Sequence, residues 1–286
     1  MKKVALILLL IPCFSSAQDI QPSRYTPLNQ EGNLSIYFGW NRSAYSLSSI
    51  SFEGADYNFT LNDLKALDKQ TEFSFENYFR LDNITIPQTN MGITYHINNK
   101  VVLSLNVDHM KYKVIRGQAT TIDGTINGDY EAWNGTYENE EILMTNDLLK
   151  LEHTDGLNYI NIGYSRILLE KSIHKTIGVS ANVGGSTGFM LPKTNTEILG
   201  KDRYDEFHLS GYGLGIHSGI KIHLGKPFFL ALNAKGGFIN MPNIRTTADK
   251  NDTATQHFFY LQGNFIFGFT INAKNIKKPS KQDGRL

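Results

Sequence analysis

Apolar and polar residues alternate with a period of two over long stretches of this chain. Between Asn33 and Arg42, Leu34, Ile36, Phe38 and Trp40 take one face, and Ser35, Tyr37, Gly39 and Asn41 take the other. The closing stretch repeats the pattern, with Leu261, Phe265, Phe267, Phe269 and Ile271 set against Gln262, Asn264, Gly268 and Thr270. Ile177 to Gly184 and Gly211 to Ile222 do the same. Alternation of this length predicts strands with one apolar and one polar face. Eight are expected, over residues 33–42, 83–97, 101–115, 157–167, 176–191, 208–224, 228–241 and 256–272. Connections after the second, fourth and sixth are short, and the others are long. That asymmetry matches the short periplasmic turns and long extracellular loops of a membrane barrel. An even strand count puts both termini in the periplasm.

The polar face separates a membrane barrel from a soluble sandwich. A sandwich turns its polar face to water and covers it with long charged side chains. Here that face is mostly Gly, Ser, Asn and Thr, which suits a crowded lumen, while the aromatic-rich apolar face suits a lipid-facing belt. The runs reach the length of about 9–11 residues that a tilted transmembrane strand needs. The expected fold is all-β: an eight-stranded antiparallel up-and-down transmembrane β-barrel over residues 33–272, with long extracellular loops, in the outer membrane. Eight strands leave a lumen filled by side chains, so a porin is excluded. Inward candidates are Asn106, Asp108, His217, Lys221, Asn233, Lys235, Gln262 and Asn264. A buried Lys221 or Lys235 needs a partner, and Asp108 is the candidate in a polar network of Asp108, His217, Lys221 and Lys235.

Composition agrees. Of 286 residues 19% are charged, with a net charge of +1. That leaves no basic footprint for nucleic acid. A mean hydropathy of −0.29 argues against abundant helical spans. Met1-Lys2-Lys3, the apolar run Val4 to Phe14 and Ser15-Ser16-Ala17 form a signal peptide, residues 1–17. The run is too short to cross a bilayer as a helix. Pro12 argues against Cys13 as a lipidated residue. Cleavage removes the single cysteine, so the exported chain holds no disulfide. A polar leader, 18–32, and a polar basic tail, 273–286, are placed in the periplasm. Gln262, Asn264, Phe267 and Phe269 resemble the terminal strand that barrel-insertion machinery reads. Expected partners are outer-membrane lipid and lipopolysaccharide, that machinery, and an extracellular ligand or protein. No cofactor and no nucleic acid are expected.

The long loops hold the remaining candidates. In loop one, residues 43–82, Ser46–Phe52 and Tyr57–Leu64 read as a hairpin about Glu53-Gly54-Ala55-Asp56. Phe73, Phe75, Tyr78 and Phe79 pack onto the barrel rim or form a contact surface. In loop two, residues 116–156, Asp123, Asn127, Gly128, Asp129 and Glu131 partly match a calcium-loop spacing. Thr125 and Asn134 depart from it and the bidentate Glu is missing, which excludes a tight site. Tyr130, Trp133 and Tyr137 are rings of the kind that stack on sugars. Near loop three, His208 and Ser210 fall by alternation on the lipid-facing side with Tyr212. They resemble the His base and Ser nucleophile of acyl-removing barrel enzymes that act on lipid A, oriented there by a carboxylate. Glu152, Asp205 and Glu206 are the candidates for that carboxylate. Gly211 stands where that motif carries Asn, and such a pair arises often by chance. In loop four, Asp252-Thr253-Ala254 resembles a bacterial O-glycosylation acceptor.

Several longer stretches point to one family: NRSAYSLSSISFEGADYNFTLNDLKALD, DHMKYKV, LKLEHTDGLNYINI, LPKTNT, RYDEFHLSGYG and KGGFINMPNIRT. Together they resemble the small outer-membrane β-barrel proteins of the Bacteroidota. The resemblance implies an outer-membrane barrel and assigns no catalytic or binding residue. Three functions follow as expectations. The first is a structural or surface-binding role through the extracellular loops. The second is a lipid A-modifying enzyme using His208 and Ser210. The third is a small-solute conduit, which a plugged lumen opposes.

Overall fold

The computed structural model describes residues 30–273, apart from 81, 83–85, 129, 131 and 226. The expected signal peptide, most of the leader and the tail beyond Ala273 lie outside the described residues. In chain order the elements are β1 (Asn33–Tyr45), β2 (Ser48–Gly54), β3 (Tyr57–Leu64), β4 (Ala66–Asp68), α1 (Phe75–Phe79), β5 (Thr89–His96), β6 (Val101–Val114), β7 (Ala119–Ile126) and β8 (Gly135–Leu143). Then come β9 (Leu149–His174), β10 (Ile177–Met190), β11 (Lys193–Ile198), β12 (Tyr204–Phe207), β13 (Gly211–Leu224), β14 (Phe228–Arg245) and β15 (Thr253–Asn272).

Eight of these strands form a ring in the order β1–β5–β6–β9–β10–β13–β14–β15, and β15 pairs back onto β1. Every pair in the ring is antiparallel. Closure removes the sheet edge, so each wall strand has hydrogen-bonding neighbours on both sides. The eight expected strands are these eight, with shifted ends. β5 begins at Thr89, because Pro87 just before it has no N–H for the ladder. β13 begins at Gly211 rather than at residue 208. β9 is 26 residues long and starts at Leu149, well before residue 157. The longer reach depends on a bulge: the β6–β9 register shifts between Met110 and Tyr112, opposite Gly156, whose φ of 136° only glycine adopts without strain.

At one end the connections are tight turns, for example Lys175-Thr176 between β9 and β10. At the other end the long loops are themselves sheet. The first residues of β15 keep β14 on one side and take β2 in place of β1 on the other, and the sheet continues through β3 and β7 to β8. The loop-one hairpin is therefore present as expected, while the 116–148 stretch adds an unexpected hairpin and β11–β12 another.

The alternation runs unbroken along β15, but its polarity inverts. Gln262 and Asn264 point inward and are buried, while Leu261, Phe265, Phe267, Phe269 and Ile271 are exposed. Further toward the long-loop end, Ala254 and Phe258 are buried and Thr255 and His257 face out. The wall is thus apolar outside and polar inside, and the cap above it is the reverse. A barrel wall in lipid keeps apolar groups outside, whereas a unit in water must bury them. The wall's outer face carries a continuous apolar belt in which Ile162, Ile216, Phe228, Leu232, Phe259 and Leu261 are 62–73% exposed. No helix among the described residues is long and apolar enough to cross a membrane. The cap has a core of its own, with Ile50, Phe52, Leu61, Met110, Tyr112, Ile122, Leu149 and Phe258 fully enclosed. Tyr112 stacks on Phe258 with ring centroids 4.7 Å apart, and Tyr45 meets Tyr112 edge-on at 4.9 Å. Each large apolar side chain buried this way contributes about 1.5–3 kcal/mol relative to exposure.

Candidate functional site

The lumen of the wall is filled by side chains from the inward positions of the ring. Asp108 on β6 accepts from Lys235 Nζ on β14 at 2.8 and 2.9 Å. Asn161 Nδ2 donates to the same carboxylate at 3.3 Å, and Asn90 contacts its other oxygen. Asn161 Oδ1 in turn accepts from Asn106 at 2.9 Å, and Tyr37 O–H donates to Asn106 at 2.7 Å. An ion pair removed from water holds only with such added hydrogen bonds.

Of the four residues expected to form one polar network, the structure joins Asp108 and Lys235. His217 Nε2 is instead 2.8 Å from Ser165 Oγ, and Lys221 Nζ sits 4.3 Å over the Phe229 ring. Nearer the short turns, His223 Nε2 is 3.0 Å from Ser180 Oγ, and Gln30 donates to Glu170 at 2.9 Å. Two of these lie outside the expected strands, Glu170 in the connection after residue 167 and Gln30 in the polar leader, yet Gln30 is buried and its N–H donates to Asn99 Oδ1 at 2.9 Å. A cavity of about 100 Å³ remains among these groups, enough for a few water molecules. Above it the rings of Tyr112, Phe258 and Tyr45 occupy the passage into the cap. The lumen is a narrow polar chamber lined by these side chains.

The partial calcium spacing falls on strand. Residues 119–126 are β7, paired to β3 and β8, rather than a ligand loop. Asp123 accepts from Asn62 Nδ2 at 2.8 Å and from the Asn139 N–H at 2.7 Å. Asn127 donates its backbone N–H to Asp56. Asp129 and Glu131 lie outside the described residues, and among the described residues no three His, Cys, Asp or Glu gather as metal ligands. Trp133 Nε1 donates to Asp147 and Tyr137 O–H to the Trp133 carbonyl, both at 2.7 Å, so Trp133 is tied to the loop after β8 and Tyr137 to its own hairpin.

His208 and Ser210 precede β13, and the alternation does not extend back to them. Leu209 is the exposed residue, and Ser210 is 1% exposed. The Ser210 hydroxyl donates to the main-chain oxygen of His208 at 3.3 Å, and His208 Nε2 is buried without a partner. Of the three candidate carboxylates Glu206 is exposed, and Glu152 and Asp205 are engaged elsewhere. Glu152 is flanked by Lys69 at 3.5 Å and Lys113 at 3.6 Å, and Asp205 by Arg203 at 2.9 Å. Burial raises the Glu152 pKa, but Lys69, Thr154 and Lys113 together outweigh it and hold the group below the usual carboxylate range.

A second staple crosses the cap. Asp252 is buried and accepts from Lys201 Nζ and Thr247 Oγ1, both at 2.7 Å, and Lys201 lies 4.8 Å over the Tyr57 ring. Within the expected acceptor sequence, Asp252 and Ala254 are buried, and Thr253 pairs with Glu53 and Arg245.

A closed antiparallel ring, a lumen lined by polar side chains and an apolar belt define a transmembrane β-barrel. No protein-family model matches the chain, and no curated protein matches it. Among solved structures it is similar to Ail, the attachment invasion locus protein of Yersinia pestis, at 11% identity over 84% of this chain and 99% of that one, with a TM-score of 0.33. It is also similar to the outer membrane protein OprG from Pseudomonas aeruginosa, at 12% identity over 85% and 98%, with a TM-score of 0.37. The outer membrane protease OmpT from Escherichia coli is similar at 9% identity over 88% and 99%, with a TM-score of 0.34. The barrel assignment stands on ring closure and the belt, not on these likenesses.

Proposed function

We propose that this chain is an outer-membrane protein with a structural or surface-binding role, its barrel holding a folded extracellular cap. The inverted polarity of β15 carries this reading: one strand passes from a lipid-matched wall into a water-matched unit. The short turns and both termini then lie in the periplasm, and lipopolysaccharide surrounds the upper wall. Kinship with the Bacteroidota barrels remains part of this proposal, supported by the stretches quoted above.

The surface available for binding is the outward face of β2, β3 and β7. Its side chains are small and polar, with Ser51 and Thr60 hydroxyls 2.8 Å apart and Asn62 donating to Thr121 at 3.2 Å. A lumen crowded by side chains opposes a conduit. The geometry of His208 and Ser210 gives an acyl-removing reaction no support.

Two measurements on the whole protein test the reading. Cysteine placed at Asp56, the tip of the β2–β3 turn, is expected to react with a membrane-impermeant maleimide on intact cells. Cysteine at Lys100, in the β5–β6 turn, is expected to react only after the outer membrane is opened. The reconstituted barrel is expected to be silent in planar bilayers. Reversed labelling would overturn the orientation, and stepwise conductance would overturn the crowded lumen.

A further inference from the structure

The segment after β4 does not join the cap. It turns down the outside of the wall. Trp40, an outward residue of β1, has its ring centroid 5.4 Å from Phe79 and 6.0 Å from Tyr78. The same indole meets Phe38 at 5.8 Å and Phe267 at 5.6 Å, and it lies parallel to Phe265 at 6.4 Å. Trp40 therefore joins two aromatic groups, the belt of the barrel and the cluster Phe73, Phe75, Tyr78 and Phe79.

That cluster is held in place. Ser74 caps α1 by accepting from the Asn77 N–H at 3.0 Å. Tyr78 O–H donates to the Thr71 carbonyl at 3.0 Å, and Thr71 Oγ1 donates to the Ile86 carbonyl at 2.8 Å, closing the base of the segment. Arg80 pairs with Glu76 at 2.8 Å on the polar side. Phe75 and Phe79, four apart on one helical face, have centroids 5.1 Å apart. Despite this order, Phe73, Phe75 and Phe79 are 69%, 76% and 54% exposed. Three phenyl rings fixed side by side on the surface require a cover. Their continuity with the belt through Trp40 identifies it, because lipid that wets Phe38 and Phe267 is already beside Phe79. Aromatic rings with a charged rim suit the level where acyl chains meet headgroups.

We propose that residues 73–79 form a membrane-contact paddle, seated in the acyl chains of the outer leaflet beside the barrel wall. The inference rests on the transmembrane reading of the belt. It adds a lipid contact made by a loop rather than by a wall strand.

The test uses the mature chain, which holds no native cysteine. Single variants Phe75→Cys, Phe79→Cys, Phe267→Cys and Asp56→Cys are labelled with an environment-sensitive fluorophore and reconstituted into phosphatidylcholine vesicles. The label at 267 reports on the belt itself, and the label at 56 reports on water. Labels at 75 and 79 are expected to show blue-shifted emission and quenching by brominated phosphatidylcholine, as at 267. If 267 is quenched while 75 and 79 behave like 56, the paddle is overturned and the barrel reading stands. If 267 is not quenched either, both fall. Shielding at 75 and 79 that vanishes on dilution with lipid would assign the surface to a second copy of the chain and also overturn the proposal.

Discussion

Lys235 Nζ on β14 reaches across the lumen to both oxygens of Asp108 on β6, at 2.8 and 2.9 Å, and the Asp108 side chain is 2% exposed. The two strands are not neighbours in the ring, so the pair ties opposite parts of the wall. Removing one partner strands a buried charge, which costs about 3–5 kcal/mol. Lys235→Ala is expected to lower the unfolding free energy of the refolded barrel by an amount in that range, read as a fall in its urea midpoint. Lys235→Met with Asp108→Asn is expected to recover much of it, since no buried ion is left unpaired. The readout is the folded and unfolded bands on unheated gels across a urea series. Equal losses in the single and double variants would show that the pair is not what couples the strands.

The ring is legible in the sequence, because lipid and a polar lumen impose a period of two on the wall strands. Leu261, Phe265 and Phe267 against Gln262 and Asn264 state the wall directly. The cap was far less legible, because its strands carry the ordinary soluble pattern. Ile50, Phe52, Phe59 and Leu61 alternate well enough to show a hairpin, but nothing local says that this hairpin attaches to Thr253–Gln256. The β7–β8 hairpin was hidden by its chemistry. Asp123, Asn127 and Gly128 sit at spacings a metal loop would use, and Glu138, Glu140 and Glu141 look unlike strand. β8 is an edge strand, and charge on an edge blocks further pairing. Lumen partners such as Glu170 and Gln30 lie 140 residues apart in sequence and meet only by closure.

The cap is expected to loosen in mild acid. His153 is fully enclosed in it, with Nδ1 2.9 Å from Thr194 Oγ1. Burial lowers its pKa from 6.5 to about 4, outweighing Gln256 and the nearby Glu152 carboxylate. A depressed histidine is neutral when folded and binds a proton more readily when the cap opens. Stability is then complete above pH 6.5 and falls as the pH drops from 6.5 toward 4. The shift corresponds to a loss of about 3 kcal/mol. Proteinase K digestion of the cap across this range should show the transition while the wall stays intact. His153→Gln should flatten the dependence between pH 6.5 and 4, and an unchanged profile would remove His153 as its source.

Asp252 should act as a latch between the β14–β15 loop and the β11–β12 turn, whose Lys201 lies over Tyr57 of the β2–β3 hairpin. Burial would lower the Lys201 pKa, but the bond and charge of Asp252 outweigh it and raise it above the usual value. A charge-assisted hydrogen bond of this kind contributes about 1.5–3 kcal/mol. Asp252→Ala also strands Thr247 and leaves Lys201 beside the Tyr57 ring. The expected result is faster tryptic cleavage after Lys201 and Lys250, with normal heat-modifiability of the barrel. Cleavage rates equal to those of the unaltered chain would show that the cap holds without the latch.

His208→Ala is expected to leave the lipid A of producing cells unchanged. An acyl-removing enzyme needs a serine hydroxyl that reaches both the base and the lipid. Here Ser210 is buried, its hydroxyl is bonded to a backbone carbonyl, and Leu209 is the residue turned outward. Glu152 and Asp205 are held by lysine and arginine rather than by the imidazole. Mass spectra of lipid A should therefore be identical from cells with the intact chain, with His208→Ala, and without the chain. A species short of one acyl group, present with the intact chain and lost in His208→Ala, would mean that the residues before β13 rearrange on meeting lipid. It would replace the display role with an enzymatic one.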